Sequence, residues 1–417
     1  MKSGIYRTTN PLSKTLSLPR NPSSSAKSAI QTLTYIPSRV NVPWLQMVAC
    51  ARIVCAWVYC CTNGFLKGVI RIMKAVRLHG LRDLRTHDEP VPQPMPGEVQ
   101  IQVKSVGVCA SDGHWYRDGR IGSTVLSAPL ILGHEASGVI IAVGEDVSHE
   151  RVGERIAIEP AKPCMKCEFC LAGHYNVCPN IPFFGTPPTD GCFCEYVCWP
   201  AHLALKAPDC MSFDEIAMLE PMAVGVYAID LALAKPTDTV LVMGAGAIGL
   251  SVIQAAKVLG AAQIIVSEPI KERRELALKL GATDAVNPGD SDAVAAVQAL
   301  TNKRGVDIAF ECTGAEQSTV DASRMVKVLG KVMVIGIPDE DFYHFDASSS
   351  RRKELTVVFV RRSNLTTERS MELVAEKKID IASYATHRYP LEQVGEAMEM
   401  MISKRDGVVR AVIAVSD

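Results

Sequence analysis

Two hydrophobic patterns follow one another along the chain after residue 73. Residues 74–160 hold short apolar or alternating runs separated by Gly and Pro, such as EVQIQVKSVGVC and SGVIIAV, which predict a β-rich domain. From about Thr239, apolar runs such as TVLVMG alternate with stretches of helical periodicity such as AIGLSVIQAAKVLG. Alternating strands and helices predict a parallel sheet with helices on both faces. The tail contains two predicted helices and a last strand, GVVRAVIAV.

The predicted fold class is therefore α/β, with a doubly wound parallel sheet beside a β-rich domain. We place the β-rich domain at residues 73–221 and the parallel-sheet domain at 222–359. Residues 360–417 are predicted to return to the β-rich domain.

Charge separates residues 1–72 from the rest of the chain. They hold nine Lys and Arg and no Asp or Glu, which leaves 35 basic and 45 acidic residues for the remainder. We expect a disordered N-terminal extension, either a gene-model artefact upstream of Met73 or a transit-like leader. Arg52 interrupts the apolar window 42–61, which argues against a membrane span. The enzyme is expected in the cytoplasm, or in an organelle if the leader is genuine.

The composition excludes several classes of protein. With 48% hydrophobic and 21% charged residues the chain is an ordinary globular protein, and lasting disorder is excluded. The net charge of −1 gives no reason to expect nucleic acid or a membrane as a partner. A disulfide framework is not expected in a chain of this length with a large core.

The run GAGAIG, Gly244 to Gly249, follows the strand TVLVM and opens a predicted helix. In the spacing G-x-G-x-x-G, Gly244 permits a tight turn, Gly246 lets the backbone approach a pyrophosphate, and Gly249 allows close packing of helix and strand. Ile248 is also predicted to contact the bound cofactor. Glu268 ends the next strand, where a carboxylate would bind both adenosine ribose hydroxyls. This order predicts a Rossmann site for a dinucleotide.

Four cysteines have the spacing of a metal site: Cys164, Cys167, Cys170 and Cys178. Four thiolates on one loop predict a closed tetrahedral S4 site, the structural form of zinc binding. An iron–sulfur cluster also uses four cysteines and is the less favoured interpretation.

A second, dispersed set of residues consists of Cys109, His134, Glu135 and Glu220. One thiolate, one imidazole and carboxylates can bind zinc with an open position for substrate. Each residue also has an ordinary structural explanation, and spacing alone does not show that the four converge.

With these motifs in place, residues 73–417 resemble the zinc-dependent medium-chain dehydrogenases. The string GHEASGVIIAVGEDV, Gly133 to Val147, fits the family signature G-H-E-x2-G-x5-G-x2-V, and the four-Cys lobe and glycine loop occur in the family's order. Three segments are most similar to the polyol branch, the sorbitol and xylitol dehydrogenases: GVCASDGHWYRDGRIG, EPMAVG and VRRSN. Two departures are Ala110, where Gly is common, and Arg362, where the eukaryotic branch usually has an aromatic residue.

The resemblance implies a GroES-like catalytic domain and two zinc ions per subunit, one structural and one catalytic. Cys109, His134, Glu135 and Glu220 would surround the catalytic zinc, and which glutamate ligates directly stays open. Zinc would lower the pKa of the substrate hydroxyl. Ser111 would accept the proton, and His114 would pass it to solvent through the cofactor ribose. The family is dimeric or tetrameric, so we expect a homodimer or homotetramer.

Cofactor and substrate selectivity are predicted from a few polar side chains. The charge of Glu268 would repel a 2′-phosphate and so favour NAD, although Arg273 close behind could soften the preference. A polyol needs polar groups to replace its water contacts, and three residues near the motifs offer them: Tyr116, Arg120 and Arg361. The fork of Arg361 suits adjacent hydroxyls and would also suit a sugar-acid carboxylate.

The predicted reaction is a reversible, zinc- and NAD-dependent oxidation of a secondary alcohol of a polyol to the ketone. A threonine, butanediol or aldonate dehydrogenase of the same family is the alternative enzyme. A metal-free quinone reductase or crystallin-like protein that binds NADPH is the alternative of another class, against which Cys109, His134 and Glu135 argue.

Overall fold

The computed structural model of the protein describes residues 71–290 and 292–416. The predicted extension, apart from its last two residues, and the apolar window 42–61 lie outside them. Ile72 already belongs to the first strand, where it pairs with Pro90. The predicted boundary at Met73 is therefore one residue too late for this strand.

The β-rich domain combines the first part of the described chain with its last residues. Its strands are β1 (Ile72–Gly80), β2 (Asp83–Pro90), β3 (Glu98–Gly107), β4 (Arg120–Ile121), β5 (Thr124–Val125), β6 (Leu130–Ile131), β7 (Glu135–Val143), β8 (Arg155–Ile158), β9 (Tyr196–Pro200), β10 (Ala204–Lys206), β17 (Ala385–Pro390) and β18 (Arg410–Ala414). One sheet has the order β2–β1–β6, and a larger one has the order β10–β8–β7–β3–β18–β17, with β9 also paired to β3. A small ribbon joins β4 to β5.

The large sheet explains why the chain returns to this domain at its end. Alternate residues of β3, among them Val99, Ile101 and Val103, are fully buried, and β18 lies antiparallel to β3. The predicted apolar runs EVQIQVKSVGVC and GVVRAVIAV thus become neighbours in one sheet, and their side chains share one core.

The second domain is a doubly wound parallel sheet. Its strands are β11 (Thr239–Met243), β12 (Gln263–Ser267), β13 (Asp284–Val286), β14 (Val306–Glu311), β15 (Val326–Val334) and β16 (Thr356–Phe359), in the order β13–β12–β11–β14–β15–β16. All neighbouring pairs are parallel. The strand order reverses between β11 and β14, which is where such sheets bind their ligands. The predicted α/β fold class is confirmed.

The described helices belong to both domains, and several of them pack on the two faces of the parallel sheet. They are α1 (Ala110–Asp118), α2 (Glu168–Leu171), α3 (Phe213–Ala217), α4 (Leu219–Ala232), α5 (Ala247–Leu259), α6 (Lys271–Leu280), α7 (Ala293–Leu300), α8 (Glu316–Met325), α9 (Ala347–Lys353), α10 (Thr367–Ala375) and α11 (Val394–Ser403). The predicted boundary at residue 222 falls inside α4. A Cβ on Gly225 of α4 would lie 2.5 Å from Ser251 of α5, so these helices approach closely. None of the helices in the described part of the chain is long and apolar enough to cross a membrane.

Candidate active site

The glycine loop between β11 and α5 has the geometry that its spacing predicts. Gly244 has φ +90°, which favours glycine. A Cβ on Gly249 would lie 1.8 Å from the Gly244 carbonyl oxygen, whereas one on Gly246 would meet nothing within 4 Å. Gly246 begins α5 as its N-cap, and Ile248 follows it in the first turn, half-buried. The loop therefore leaves open space where the backbone can approach a pyrophosphate at a helix N-terminus.

Glu268 follows β12 and faces this loop. Its Oε2 accepts a hydrogen bond from the Ala245 amide at 2.7 Å, and its Oε1 accepts one from the Ile270 amide at 2.9 Å. The side chain is buried. A carboxylate at this place on the second strand of the sheet is where an adenosine ribose would be bound.

Arg273 does not extend into the ribose region as an available cation. Its guanidinium is buried and donates to the Val408 carbonyl. The neighbouring Arg274 donates to the carbonyl oxygens of Glu268 and Pro269. Arg273 thus joins α6 to the C-terminal part of the chain, which corrects its assignment as a cofactor contact.

The four cysteines of the predicted S4 site converge in the loop around α2. Their ligand atoms all lie within 4.8 Å of one another. The Sγ atoms of Cys164 and Cys170 are 4.0 Å apart, and those of Cys167 and Cys178 are 3.9 Å apart. Zinc with four Zn–S bonds of about 2.3 Å needs sulfur separations of about 3.8 Å, so the set fits a zinc ion.

Backbone amides prepare this lobe for thiolates. Hydrogen bonds from the amides of Lys166 and Cys167 lower the pKa of Cys164 to about 6. The Cys170 amide also donates to the Cys167 sulfur, because Cys167 is the N-cap of α2. Burial, by contrast, raises the pKa of Cys170 to about 12, so the amides favour the metal-binding thiolate at Cys164 and not throughout the lobe.

Cys109, His134 and Glu135 form a second cluster, between β3 and β7. Their ligand atoms lie within 4.8 Å of one another. Cys109 is half-buried, whereas His134 and Glu135 are buried. The cluster forms because β3 and β7 are antiparallel, with Gly107 opposite Glu135. A Cβ on Gly107 would lie 2.2 Å from Glu135 Oε2, so only glycine leaves room for that carboxylate.

Glu135 is a buried carboxylate with unused acceptor capacity. Its Oε1 lies 2.9 Å from Arg410 Nη2, yet neither carboxylate oxygen accepts a hydrogen bond of good geometry. Arg410, on β18, also donates to the Val108 carbonyl at 3.0 Å. Together with a thiolate and an imidazole, the free carboxylate oxygens make a donor set that fits zinc with an open position.

Asp112 holds this cluster in place and escaped the sequence analysis. It is fully buried in α1. Its Oδ2 accepts from the Cys109 amide at 2.9 Å and its Oδ1 from the Gly133 amide at 3.1 Å, while Oδ1 lies 3.5 Å from His134 Nδ1. Although burial lowers the pKa of His134, the charges of Asp112 and Cys109 raise it well above its usual value. The only sequence signal was an acidic residue three positions after Cys109, which also fits a surface turn.

Ser111 and His114 lie on the same helix as Asp112. The Ser111 Oγ is 3.5 Å from His134 Nε2, which places the hydroxyl beside the cluster. His114 Nδ1 is 3.4 Å from Asp118 and 3.8 Å from Asp339, a residue of the loop after β15. Both side chains follow Cys109 along α1, and their roles in proton transfer stay predictions.

Glu220, in the first turn of α4, lies in the electrostatic surroundings of the cluster and is not part of the three-residue group. Burial raises the pKa of Glu220 to about 7, with the charges of Glu135 and Glu159 adding to the effect and His134 opposing it. Glu159, another residue the sequence analysis missed, follows β8 and accepts a hydrogen bond from Thr367 Oγ1 at 3.0 Å. Its position in RIAIEP gave no sign of a buried carboxylate.

Two residues predicted to contact substrate are used elsewhere. Tyr116 is buried in the core of the catalytic domain, and its hydroxyl donates to Glu399 of α11 at 3.1 Å. Arg120 is exposed, and its guanidinium donates to the Gly122 carbonyl within the β4–β5 ribbon. Both assignments are corrected: α1, which was not predicted, turns Tyr116 toward α11, and the ribbon holds the Arg120 guanidinium at the surface.

The arginine pair after β16 is also arranged differently from the prediction. Arg361 is exposed, and the contact that it makes is through its carbonyl, which accepts from Asn176 Nδ2 at 2.8 Å. Arg362 turns inward and stacks on Phe183, whose ring centroid is 4.0 Å from the guanidinium carbon. Phe183 in turn contacts the His134 ring, with 5.2 Å between centroids. The arginine beside the cluster is therefore Arg362.

Comparison with known families agrees with this site. The family model described as the alcohol dehydrogenase GroES-like domain matches residues 95–209, and the one described as zinc-binding dehydrogenase matches residues 247–376. The sorbitol dehydrogenase of Bacillus subtilis (strain 168) is 36% identical over 341 residues, which make up 82% of this chain and 97% of that one.

Solved structures are similar over the same region. An oxidoreductase/dehydrogenase of unknown specificity from Escherichia coli has a TM-score of 0.79 at 33% identity, covering 83% of this chain and 100% of that chain. A zinc-binding dehydrogenase from Sinorhizobium meliloti 1021, bound to NADP, has a TM-score of 0.75 at 28% identity, covering 83% and 100%. A nicotinamide cofactor is thus supported, while the choice between NAD and NADP is left open by these relatives.

Proposed function

The chain belongs to the zinc-binding alcohol dehydrogenases, in the branch that includes the sorbitol dehydrogenases, and from this premise we propose the reaction it catalyses. It oxidises a secondary hydroxyl of a polyhydroxylated substrate, of the sorbitol or xylitol type, to the ketone, reversibly and with NAD. The observation that carries the proposal is the cluster of Cys109, His134 and Glu135, with Ser111 beside it.

A zinc ion held by this cluster would polarise the substrate hydroxyl and make its proton more acidic. Ser111 would take that proton, because its hydroxyl is the polar group next to His134 on the half-buried side of the cluster. His114, one turn further along α1, would pass it outward, since it neighbours the exposed Asp339. Asp112 would keep Cys109 and His134 oriented throughout.

The hydride acceptor would lie on the glycine loop. Glu268 would bind the adenosine ribose hydroxyls, and its charge would disfavour a 2′-phosphate. The guanidinium groups of Arg273 and Arg274 donate to backbone carbonyls, so contact with a 2′-phosphate would have to break these hydrogen bonds.

The substrate class can be tested by comparing kcat/KM for xylitol and sorbitol with that for 2-propanol, following NADH formation. Two net hydrogen bonds of about 1.4 kcal/mol each would give a preference of about 100-fold for the polyol. Equal values for all three alcohols would refute a polyol substrate.

The cofactor can be tested with Glu268→Gln, which removes the charge but keeps an amide oxygen as acceptor for the Ala245 N–H. We expect the wild type to prefer NAD and the variant to shift the ratio of kcat/KM toward NADP. Glu268→Ser should shift it further while weakening the loop. A wild-type ratio near one would mean that Glu268 does not select the cofactor.

A further inference from the structure

Arg362 is a half-buried cation, and one of its guanidinium nitrogens is buried without a hydrogen-bonding partner among the described residues. It lies between β16 and α10 with φ +57°, and its guanidinium covers the face of Phe183. Its Nη1 is buried and bonds to no acceptor. Burial lowers the pKa of Arg362 to about 10, with Arg361 adding to the effect, so the side chain stays charged at neutral pH.

The surroundings of Arg362 belong to the active site. One aromatic ring, Phe183, separates it from His134. The charges of Glu220 and Glu159 act on it. Within the described ranges, however, no carboxylate oxygen lies within 4.0 Å of its guanidinium nitrogens, unlike the paired Arg410.

The segment that carries Arg362 is held from both sides. Asn176 donates to the Arg361 carbonyl, and Asn364 Nδ2 donates to the Gly173 carbonyl at 3.0 Å. Thr366 donates to the Ala223 carbonyl of α4 at 2.7 Å. These bonds fix the backbone, so the guanidinium is presented in a defined place.

A buried donor without a hydrogen-bonding partner costs free energy unless a ligand supplies the acceptor. We propose that the partner is an anionic group of the substrate, bound by Arg362, so that the preferred substrate is a sugar acid of the aldonate class. This inference rests on the proposed function and narrows it, because an aldonate is a polyhydroxylated secondary alcohol with a carboxylate at one end.

A carboxylate suits this site better than a phosphate. The guanidinium fork matches the two oxygens of a carboxylate. A phosphate would bring a second negative charge toward Glu220 and Glu159, which increases repulsion. The experiment below compares substrates that carry a carboxylate with substrates that carry a phosphate, and so distinguishes the two anionic groups.

The experiment compares hexitols, hexonates of the same configuration and hexitol phosphates as substrates of the full-length zinc-loaded enzyme. The D-gluco, D-manno, D-galacto and L-ido series cover the unknown stereochemistry. We expect one hexonate to have a kcat/KM at least about 10-fold above its hexitol, since a hydrogen bond to a charged group contributes about 1.5–3 kcal/mol.

Arg362→Met removes the charge and keeps an unbranched side chain over Phe183. It should raise KM for the hexonate about 10- to 100-fold and change KM for the hexitol little. Arg362→Lys, which keeps the charge without the fork, should fall between them. Arg361→Met is the matched variant, because it removes one positive charge from the adjacent exposed position.

The outcomes separate the proposals. Activity on hexitols with no hexonate preference overturns the inference and leaves the proposed function standing, whereas no activity on either class overturns the proposed function. A preference for the phosphates overturns the carboxylate assignment.

An equal loss on both substrates in Arg362→Met, with zinc content unchanged, would mean that Arg362 supports the site and does not bind the substrate. Selective loss in Arg361→Met would restore the assignment made from sequence.

Discussion

The two metal-type donor sets of this molecule are built in opposite ways. The lobe of Cys164, Cys167, Cys170 and Cys178 takes four identical ligands from one short loop, and backbone amides support its sulfurs. The cluster of Cys109, His134 and Glu135 takes three different side chains from two segments that are distant in sequence, and buried charges surround it.

This difference decides what each set can do. Four sulfurs at the corners of a small tetrahedron leave no position for another ligand, so a metal in the lobe would have a structural role. The mixed cluster keeps carboxylate oxygens free and has Ser111 and Arg362 nearby, so it can receive a substrate. A self-contained site tolerates changes elsewhere, whereas an assembled site depends on every segment that positions it.

The largest effect is expected from removing a ligand of the mixed cluster. Cys109→Ala should lower kcat/KM by at least about 1,000-fold, because the metal supplies several kcal/mol of transition-state stabilisation. Zinc should fall from two to one per subunit while the Tm changes little. Retention of both zinc ions would show that Cys109 is not a ligand.

Asp112→Asn tests how far the mixed cluster depends on its supporting residues. We expect activity or zinc affinity at this site to fall about 10- to 100-fold, because the amide orients His134 and the Cys109 backbone less well. Chelator competition and kcat/KM measure the two effects. Asp83→Asn, an exposed position paired with Arg85, is the control and should match the wild type. An unaffected Asp112→Asn would argue that the cluster is as self-contained as the lobe.

Cys170→Ser should affect stability more than chemistry. Loss of the S4 metal should lower the Tm by about 5–10 °C, as expected for a few kcal/mol in a domain of this size. Zinc should again fall to one per subunit, but with the catalytic ion retained. The exposed Cys210→Ser controls for loss of a thiol. An unchanged zinc count would contradict the assignment.

The smallest effect is a dependence of metal binding on pH. Metal ligands must lose their protons before they bind. Although burial lowers the pKa of His134, the charges of Asp112 and Cys109 raise it well above its usual value, so protons compete with zinc at the mixed cluster. On dialysis from pH 8 toward pH 5, one zinc per subunit should be lost together with the activity. Full activity with both zinc ions bound at pH 5 would contradict this.

The same contrast explains what could be predicted from sequence. The cysteine run and the glycine loop are each formed by one short stretch of sequence, so the spacing of their residues already predicts their geometry. The periodicity of the apolar residues predicted the strands of the parallel sheet. Asp112 and Arg410 could not be found this way, because an acid in a turn and a base in a strand resemble surface residues until β3, β7 and β18 pair.

Neighbouring arginines show the limit most directly. Arg361 and Arg362 are adjacent residues of the same type, so the sequence does not show which side chain faces inward. Arg362 has a left-handed backbone conformation, and its side chain is the one that turns inward. The prediction for the Tyr116 side chain was wrong for a related reason, since its direction depends on a helix that hydrophobic periodicity did not reveal.

Two hydrogen bonds donated by asparagine side chains join the cysteine lobe to the segment 361–364, and they have a practical consequence for anyone engineering this enzyme. The side-chain amides of Asn176 and Asn364 tie the segment that we propose binds the substrate anion to the loop of the four cysteines. Libraries that recode position 362 should therefore keep both asparagines fixed. Stored samples that slowly lose the lobe metal would drift in substrate ranking before they lose turnover, so selectivity is the earlier indicator of ageing.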